Sequence, residues 1–508
     1  MSGNHVIGLD VGTSGARAVL FRTDGTPIAS IQHDYPLETP HPGWAEQDPN
    51  RIWAAVVRAL TEATSHLPVG DRIAGIGLST IFHSLVVADA DGKPLTPSII
   101  WADTRSRHQI EELRQGIDAN DWYQRTGCPL HPMYLAGKIR WLKAERPDLF
   151  ERAGTFGCIK DEVIARLTGR RVVDQSCASA SGLFNLREAR WDPDIIAAVG
   201  IRQDQLPEIV EPTSIVGGIR PDVARQVGLL PGTPVIAGAG DGVLSSLGSG
   251  AVSPGQMTVM IGTSGAARLV AERPVLDPRG RTWCYYLAQG RWVAGGAVNN
   301  GGLAVRWVRE NLLPGPPAPV DEFDFETLVA NAQQASTGSG GLIFLPFIAG
   351  ERSPFWNASA RGVLFGLATH MNSSHVARSI LEGVCFRMRS IVDALDEVAG
   401  PTREIRASGG FARSPFWVQM LVDVLGRPLT IPNAPQASSY GAAGLAMIGL
   451  GMLKTLDDVA RIVPPGVGPT PVDSARAIYD RVYRLYLELY WANTPLFARV
   501  AQLQEDLE

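Results

Sequence analysis

Near the start of the 508-residue chain stands the glycine-rich stretch Val6-Ile7-Gly8-Leu9-Asp10-Val11-Gly12-Thr13-Ser14-Gly15-Ala16-Arg17-Ala18-Val19-Leu20-Phe21. Two apolar runs flank a small polar centre, a pattern that predicts two buried strands joined by a tight turn. Glycines in such a turn let a ligand come close, and outward-facing backbone N–H groups then bind phosphate oxygens. Asp10, at the end of the first strand, is placed to meet a metal ion rather than the phosphate. On this stretch alone, a hairpin that only turns the chain is an equally good interpretation.

An internal repeat favours the phosphate-binding interpretation. The stretch Met257-Thr258-Val259-Met260-Ile261-Gly262-Thr263-Ser264-Gly265-Ala266-Ala267-Arg268-Leu269-Val270 has the same order of strand, Gly-Thr-Ser-Gly, alanine with arginine, and second strand. A repeat on this scale predicts two similar domains, which we place at residues 1–246 and 247–508. We expect each domain to offer one hairpin to a shared cleft that holds a single nucleotide.

The composition is that of an ordinary globular protein and argues against several functional classes. Hydrophobic residues make up 45% of the chain and charged residues 19%, and the formal net charge of −5 gives no basic surface for nucleic acid. The five cysteines are scattered and form no C-x-x-C pair, so we expect buried thiols in a reducing compartment rather than disulfides or a zinc site. No apolar run approaches the roughly 20 residues of a membrane span. The chain enters a strand soon after Met1, without a signal peptide, and a cytoplasmic location is therefore expected.

Polar groups that follow two predicted strands outline a substrate pocket. The strand at residues 73–79 leads to His83, and the strand at residues 98–101 leads to Asp103 and Arg105. Ligands of open α/β sheets bind at the carboxyl ends of the strands, so we expect these three side chains to line one wall. A histidine that only satisfies the core is the alternative for His83.

Two further segments could carry binding residues. The loop at residues 124–134 precedes a predicted helix and fits either a binding loop or a proline-rich structural turn. The turn Ser408-Gly409-Gly410-Phe411-Ala412-Arg413-Ser414 follows a predicted strand. Its small residues would let a flat ring lie against the backbone, with Phe411 and Ser414 nearby.

A carboxylate at a strand-to-helix junction is the candidate for the chemistry. The apolar strand at residues 234–240 runs into Asp241, which opens a predicted helix. Such an acid can simply cap a helix or stabilise its first turn. It can also act as a general base if a substrate hydroxyl comes within hydrogen-bond reach.

Other segments are expected to be structural. Residues 441–450 predict a small-residue helix that allows close packing, and Pro314–Pro319 predicts a surface linker. Four tyrosines at helical spacing follow Asp473, and they predict a packing stripe rather than a cofactor site. They are Tyr479, Tyr483, Tyr486 and Tyr490.

Taken together, the two hairpins, Asp241 and the Gly409-Gly410 turn resemble the FGGY family of carbohydrate kinases, in the superfamily of actin, hexokinase and heat-shock ATPases. The likeness runs from about Val6 to Leu450 and is strongest to the gluconokinases of the family. The stretches that carry it are Trp101-Ala102-Asp103-Thr104-Arg105-Ser106, Arg125-Thr126-Gly127, His131-Pro132-Met133, Ser179-Ala180-Ser181-Gly182, Asp241-Gly242-Val243-Leu244-Ser245-Ser246-Leu247-Gly248, Val298-Asn299-Asn300-Gly301-Gly302, Gly350-Glu351-Arg352-Ser353-Pro354-Phe355-Trp356-Asn357 and Gly409-Gly410-Phe411-Ala412-Arg413-Ser414.

This chain also departs from related patterns. Xylulokinases tend to have Gln-Met-His-Gly where this chain has Thr80-Ile81-Phe82-His83-Ser84, and Asp-Asn where it has Asp241-Gly242. Gluconokinases commonly have Met before the histidine, where Phe82 stands here.

The resemblance implies a fold and a set of roles. The fold is α/β, with two actin-like (ribonuclease H-like) domains of duplicated topology and a nucleotide cleft between them. The first domain is expected to hold the sugar, the first hairpin and the catalytic aspartate. The second domain is expected to hold the second hairpin, the adenosine site and the C-terminal helix. In the same way, Asp241 is expected to accept the proton of the attacking hydroxyl, and Asp10 to hold Mg²⁺ through water. The phosphate motifs are Gly12, Thr13, Ser14 and Arg17 in the first hairpin and Gly262, Thr263 and Ser264 in the second. The adenosine motif is Gly409, Gly410, Phe411 and Ser414, and the substrate wall is His83, Asp103, Arg105, Met133 and Asp241.

The implied reaction is ATP-dependent phosphorylation of D-gluconate to 6-phospho-D-gluconate. No G-x-x-x-x-G-K-[ST] occurs in the chain, which excludes a P-loop kinase. A donor is needed for the substrate carboxylate, and the sequence leaves Arg105, His83, His131 and Lys160 as candidates. The alternatives are a xylulokinase or another ketose or polyol kinase, and a non-catalytic ATP switch of the actin or chaperone type. The expected partner is a small sugar or sugar acid, and a homodimer is among the quaternary states left open.

Overall fold

The structure is a computed structural model that describes residues 4–313, 325–432, 436–464 and 466–507. It has two compact units, each made of separate parts of the chain. Unit 1 comprises Met1–Pro254, Val270–Ala294 and Ala434–Pro464, and unit 2 comprises Gly255–Leu269, Gly295–Asn433 and Pro465–Glu508. The domain boundary predicted between residues 246 and 247 stays a prediction. The linker predicted at Pro314–Pro319 lies outside the described residues.

The strands of the first half of the chain precede those of the second sheet. They are β1 Asn4–Val11, β2 Gly15–Arg22, β3 Pro27–Asp34, β4 Glu46–Gln47, β5 Arg72–Thr80, β6 Val86–Ala88, β7 Ser98–Ile99, β8 Thr155–Gly157, β9 Val172–Asp174, β10 Phe184–Asn185, β11 Arg190–Trp191, β12 Glu208–Val210, β13 Ile215–Gly218 and β14 Pro234–Gly240. Those that follow are β15 Gln256–Ile261, β16 Gly265–Ala271, β17 Trp283–Ala288, β18 Arg291–Val298, β19 Ile343–Leu345, β20 Val363–Phe365, β21 Glu404–Ser408 and β22 Leu429–Thr430.

The helices alternate with these strands. Those of the first half are α1 Pro49–Ser65, α2 Arg107–Gly116, α3 Ala119–Thr126, α4 Leu135–Glu145, α5 Pro147–Glu151, α6 Ile159–Thr168, α7 Gln175–Ser179, α8 Pro193–Val199, α9 Pro221–Val227 and α10 Asp241–Gly248. Those that follow are α11 Gly302–Asn311, α12 Phe325–Ala332, α13 Ser373–Ala399, α14 Pro415–Leu425, α15 Ala437–Gly449, α16 Leu456–Ile462 and α17 Asp473–Leu507.

The central sheet of unit 1 has the order β13-β14-β5-β1-β2-β3. The predicted hairpin is its middle: β1 pairs antiparallel with β2 and parallel with β5. Alternate residues of β1 enter separate cores, with Leu9 packed in one cluster and Val6 in another. This alternation is the two-residue period of a strand that is covered on both faces.

Helix α15 packs against this sheet at backbone distance. A methyl group on Gly8 would lie 2.0 Å from the carbonyl oxygen of Ser439, and one on Gly77 would lie 2.0 Å from that of Ala442. Only glycine fits at such contacts, since a real Cβ essentially never comes that close. The close packing predicted for the small-residue helix is therefore confirmed.

Unit 2 repeats the arrangement around the second hairpin. Strand β15 pairs antiparallel with β16 and parallel with β21, which in turn pairs parallel with β22. The order β16-β15-β21-β22 thus matches β2-β1-β5-β14 of unit 1. The predicted α/β fold with duplicated topology is confirmed, and the predicted tyrosine stripe of α17 is buried as expected.

Two predicted strands are shorter than expected. The strand predicted at 98–101 ends at Ile99, and Ile100 donates its N–H to Ala45 instead. The strand predicted at 342–348 ends at Leu345, because the following Pro346 has no N–H for a ladder.

The remaining expectations concern cysteines and membrane segments. All five cysteines are free thiols, and four of them are buried. In the described ranges, no helix has both the length and the apolar character needed to cross a membrane.

Candidate active site

The turn of the first hairpin is held by groups from distant loops. Its own closure is a bond from the Gly12 N–H to the Gly15 carbonyl at 2.9 Å. Gln47 Nε2 donates to the Thr13 carbonyl at 2.6 Å, and Trp101 Nε1 donates to Thr13 Oγ1 at 3.1 Å. The conformation of the turn is therefore fixed before any ligand arrives, which is what a phosphate site requires.

Asp10 stands beside this turn on β1. Its Oδ1 accepts a hydrogen bond of 2.6 Å from Ser79 Oγ on the adjacent parallel strand β5. Burial raises the pKa of Asp10, while the Ser79 hydrogen bond and the charges of Arg17 and Lys160 act in the opposite direction. A desolvated carboxylate of this kind is stabilised by a nearby cation.

Asp241 is the first residue of α10 and follows β14 directly. Just before it, β14 has a bulge between Ile236 and Ala239 in its pairing with β5. Gly238, at the bulge, has φ of 68°, and a methyl group there would lie 1.7 Å from the Leu78 carbonyl oxygen. The bulge re-aims the end of the strand, and so sets the direction in which Asp241 leaves the sheet.

A buried lysine holds this bulge. Lys160 Nζ donates to the carbonyl oxygens of Leu78, Ala237 and Ala239 at 3.1, 2.8 and 3.0 Å. It also pairs with Asp174 at 3.3 Å, and both side chains are fully buried. Lys160 is thus satisfied by the protein, and a contact with a substrate carboxylate would require it to change partners.

Tyr35 connects the hairpin with the strand-to-helix junction. Its hydroxyl donates to the Gly12 carbonyl. Burial raises the pKa of Tyr35, and the negative charges of Asp10, Asp241 and Asp34 raise it further. Asp10 and Asp241 therefore act on one buried group, which brings the metal and base candidates of unit 1 into the same region.

The predicted wall at His83 is an aromatic cluster. His83 has φ of 59°, and its Nδ1 donates to the Ala180 carbonyl at 2.7 Å. Its ring packs against Tyr134 and Tyr285, whose hydroxyls are 2.8 Å apart. The Tyr285 hydroxyl lies 3.5 Å from His83 Nε2. Phe82 lies across Gly240, where a methyl group would be 2.0 Å from its ring.

A second buried lysine supports this wall from behind. Lys138 Nζ donates to the carbonyl oxygens of His83, Ile99 and Ile100, the last two at 3.1 and 2.8 Å. Burial lowers the pKa of Lys138 to about 7, although the charge of Asp103 acts against the decrease. Lys138 therefore joins the two strand ends that were predicted to form one wall.

Asp103 and Arg105 are bound to each other. Arg105 Nε and Nη2 donate to Asp103 Oδ2 at 2.9 and 2.7 Å, and Nη2 also pairs with Glu46 at 2.6 Å. The guanidinium carbon lies 3.6 Å from the centroid of the Trp44 ring. Both charged groups are almost fully buried, so a direct contact with a sugar would require a change of partner. Met133 is buried as well.

The second hairpin borders a large cavity within unit 2. The Gly262 N–H donates to the Ser264 carbonyl at 2.8 Å, and the Gly302 N–H at the start of α11 donates to the Gly262 carbonyl at 2.7 Å. A cavity of about 960 Å³ opens beside this turn, at the upper end of the size range for ligand pockets. The predicted residues that line it are Gly262, Thr263, Gly410, Phe411 and Ser414.

The adenosine turn is built around backbone strain and one aromatic pair. Gly409 has φ of 95°, and a methyl group there would lie 2.6 Å from the Ile261 carbonyl oxygen. Phe411 is buried and packs edge-on against Trp417. The sequence therefore brings the second phosphate motif and the adenosine motif to one cavity, although they are about 150 residues apart.

Several groups at these sites were missed by sequence reasoning. Tyr285 reaches His83 from 202 positions away, and no local pattern announces it. Lys138 and Gln47 were likewise not singled out. A charged residue at a core position of a predicted helix was the one available signal for Lys138, because such residues are almost never buried unless paired.

The residues also bear on a metal. Among the described residues, no group of three or more His, Cys, Asp and Glu side chains could hold a metal ion. Mg²⁺ is commonly bound by one or two carboxylates together with waters and substrate phosphates. The buried carboxylate of Asp10, next to a phosphate-type turn, fits that kind of site.

Known proteins of similar sequence share one family. The model for the N-terminal domain of the FGGY family of carbohydrate kinases matches residues 5–248, and that for the C-terminal domain matches residues 257–450. A gluconokinase of Bacillus subtilis (strain 168) is 36% identical to this chain, covering 99% of both proteins. A xylulose kinase of Escherichia coli (strain K12) is 29% identical, covering 97% of this chain and 100% of that protein.

A solved structure agrees with these sequence matches. The crystal structure of gluconate kinase from Lactobacillus acidophilus superposes with a TM-score of 0.93 at 32% identity, covering 98% of this chain and 100% of that one.

Proposed function

Because this chain belongs to the FGGY family of carbohydrate kinases and is therefore a carbohydrate kinase, we propose that it transfers the γ-phosphoryl group of ATP to the 6-hydroxyl of D-gluconate. The observation that carries the choice of sugar is the 36% identity to a gluconokinase over 99% of both chains. ATP use follows from the kinase family.

Asp241 is the general base of this proposal. Phosphoryl transfer depends mainly on positioning and on neutralising charge, and the base needs only to accept the proton of the attacking hydroxyl. The bulge at Gly238 and the Lys160 contacts support this role, because they hold the end of β14 from which Asp241 projects. A preorganised carboxylate avoids reorientation during the reaction.

The two hairpins bind the phosphates, and Asp10 holds Mg²⁺ through water. When bound, Mg²⁺ neutralises charge on the β- and γ-phosphates. The chain's own contribution is a turn fixed by Gln47 and Trp101, with Ser79 orienting Asp10. Adenosine occupies the cavity of unit 2 beside Gly410, Phe411 and Ser414.

The sugar contacts the wall around His83. Of the four candidate partners for its carboxylate, Lys160 and Arg105 are buried and bonded within the protein. His83 and His131 retain partial exposure, and we assign the carboxylate contact to one or both of these. Asp103, Arg105 and Met133 then shape the wall from beneath.

A coupled assay of ADP release tests the substrate. Gluconate, xylulose, ribulose and glycerol are compared at equal concentration, and gluconate is expected to give the highest kcat/KM. Preference for xylulose would overturn the choice of sugar, and absence of turnover on all four would overturn the kinase proposal.

The xylulose alternative has its own support. A xylulose kinase from Lactobacillus acidophilus also superposes with a TM-score of 0.93 at 32% identity. The same assay therefore separates the two candidates.

Asp241→Asn tests the base. We expect the variant to fold and to bind ATP but to lose about 10²–10⁴-fold in kcat, the range for general acid–base groups. Asp222→Asn is the matched control, since Asp222 is also an acid in the first turn of a helix. If Asp241 only stabilised its helix, the two variants would behave alike and the assignment would be wrong.

A further inference from the structure

The C-terminal helix α17 has two apolar faces of different chemistry. Its aromatic face is buried in unit 2 and consists of Tyr479, Tyr483, Tyr486, Tyr490 and Phe497. Its second face is aliphatic and exposed. There Leu485, Leu496, Leu503 and Leu507 are 54%, 45%, 56% and 78% exposed. A surface helix normally carries a single apolar stripe, so the aliphatic face is unexplained by the fold of one chain.

The aliphatic face has the spacing of a helix-pairing seam. Its members alternate at intervals of four and three residues, the spacing that lets one helix pack along another. They are Val482, Leu485, Leu489, Ala492, Leu496 and Leu503, with Arg499 at the one polar position. From Leu485 to Leu507 the face is about 33 Å long at 1.5 Å per residue.

Charges beside the seam show which occupant fits it. Arg481, Glu488, Arg499 and Asp506 follow one another at intervals of 7, 11 and 7 residues. At 100° per residue these intervals keep all four on one flank of the helix, and all four are exposed. The signs alternate, and the spacing is the same when it is taken from either end.

This pattern is complementary to itself in the antiparallel direction. In an antiparallel pair centred between Asn493 and Thr494, Arg481 lies opposite Asp506 of the other copy, and Glu488 lies opposite Arg499. A twofold axis repeats both pairs, which gives four oppositely charged contacts along the rim. A parallel pair would instead place like charges side by side.

We propose that this chain forms a homodimer through antiparallel pairing of α17, with the aliphatic seam of residues 482–507 buried between two copies. The seam supplies the apolar core of the interface, and the four charged residues form its polar rim. The occupant is a second copy of this chain, because the charge pattern matches its own reverse.

Sedimentation or light scattering at about 20 μM tests the proposal. The wild-type chain is expected to have twice the mass of one chain, and Leu496→Glu/Leu503→Glu is expected to have the mass of one. Leu230→Glu is the matched control, because Leu230 is 68% exposed and lies outside α17. Turnover of the sugar substrate reports that each variant is folded.

Charge reversal tests the direction of pairing. Arg481→Glu and Asp506→Arg are each expected to weaken the dimer about tenfold, from two rim pairs of somewhat under 1 kcal/mol each. The two changes combined are expected to restore it to within about threefold. A monomeric wild-type chain, or a dimer that survives Leu496→Glu/Leu503→Glu, would overturn the proposal. Failure of the combined variant to recover would overturn the antiparallel pairing.

Discussion

The two Gly-Thr-Ser-Gly hairpins share a frame but differ at one position. Asp10 of the first hairpin corresponds to Met260 of the second, because each stands two residues before the first glycine of the turn. Each also pairs with a serine on the neighbouring parallel strand, Asp10 with Ser79 and Met260 with Ser408. Only the first hairpin therefore places a carboxylate beside its turn.

The difference divides two tasks between duplicated elements. The first hairpin has a carboxylate and the means to hold it, namely the Ser79 hydroxyl and the charges of Arg17 and Lys160. The second hairpin has an apolar side chain at the same place and borders the cavity of unit 2 instead. A repeated backbone can thus bind phosphate twice while the metal site is built once.

Exchanging the distinguishing residues should give the largest effect. Asp10→Asn is expected to lower kcat about 10²–10³-fold, the usual loss when a preorganised charge contact is removed. Met260→Leu, at the corresponding place, is expected to change kcat less than about threefold. Steady-state kinetics over a range of Mg²⁺ concentrations measure both. Equal losses in the two variants would contradict the division of tasks.

Removing the cation behind the first hairpin should break unit 1. Lys160→Met leaves Asp174 buried without its partner and frees three carbonyl oxygens, so we expect a loss of about 3–5 kcal/mol in the free energy of unfolding. Lys160→Met/Asp174→Asn should recover part of that loss. Urea denaturation checks both, and an unchanged midpoint for Lys160→Met would contradict the structural role of the lysine.

Adding a methyl group to each turn tests whether both hairpins bind phosphate. A Cβ on Gly12 would lie 3.4 Å from its nearest neighbour and one on Gly262 would lie 3.6 Å away, so both alanine variants should fold. If backbone approach to the phosphates matters, the KM for ATP should rise about tenfold in each, equal to about 1.4 kcal/mol.

The control for these methyl groups is Gly8→Ala, which meets the Ser439 carbonyl at 2.0 Å and should unfold. A rise in KM for Gly12→Ala but not for Gly262→Ala would assign the phosphates to the first hairpin alone.

The smallest effect concerns stability and pH. Burial raises the folded-state pKa of Asp10 above 3.8, so the ionised form is disfavoured by folding. The stability linked to its protonated form is complete below the unfolded pKa and is lost as pH rises through the folded pKa. Without Mg²⁺ and nucleotide, Asp10→Asn should therefore have a higher Tm than the wild-type chain at pH 7, by about 2 °C or more.

The Tm difference should shrink as the pH is lowered towards 4. Thermal unfolding at several pH values measures it. A difference that grows on acidification would contradict the raised pKa.

Local patterns predicted much of this molecule. The hairpin strands, the Asp48 cap of α1, the start of α10 at Asp241 and the buried tyrosines of α17 all follow from periodicity or capping within a few residues. Helix α4 begins and ends where it was expected, at Leu135 and Glu145.

The parts that could not be predicted depend on contacts between distant segments. Tyr285 reaches His83, and Lys138 joins two strand ends, but neither residue differs locally from an ordinary strand or helix residue. Arg105 was expected to face a substrate, a role that stays a prediction, and its burial against Trp44 depends on a loop 60 residues away. Such tertiary contacts override what single-sequence patterns can indicate.

The glycine contacts of α15 have a consequence for how the chain is made. Residues 437–449 close one face of a sheet whose first strand is Asn4–Val11. On the ribosome, that strand emerges more than 400 residues before its covering helix, and synthesis proceeds at about 5–20 residues per second. The Val6 side of the sheet therefore stays uncovered for about 20 seconds or longer, a period in which a chaperone has an apolar surface to protect.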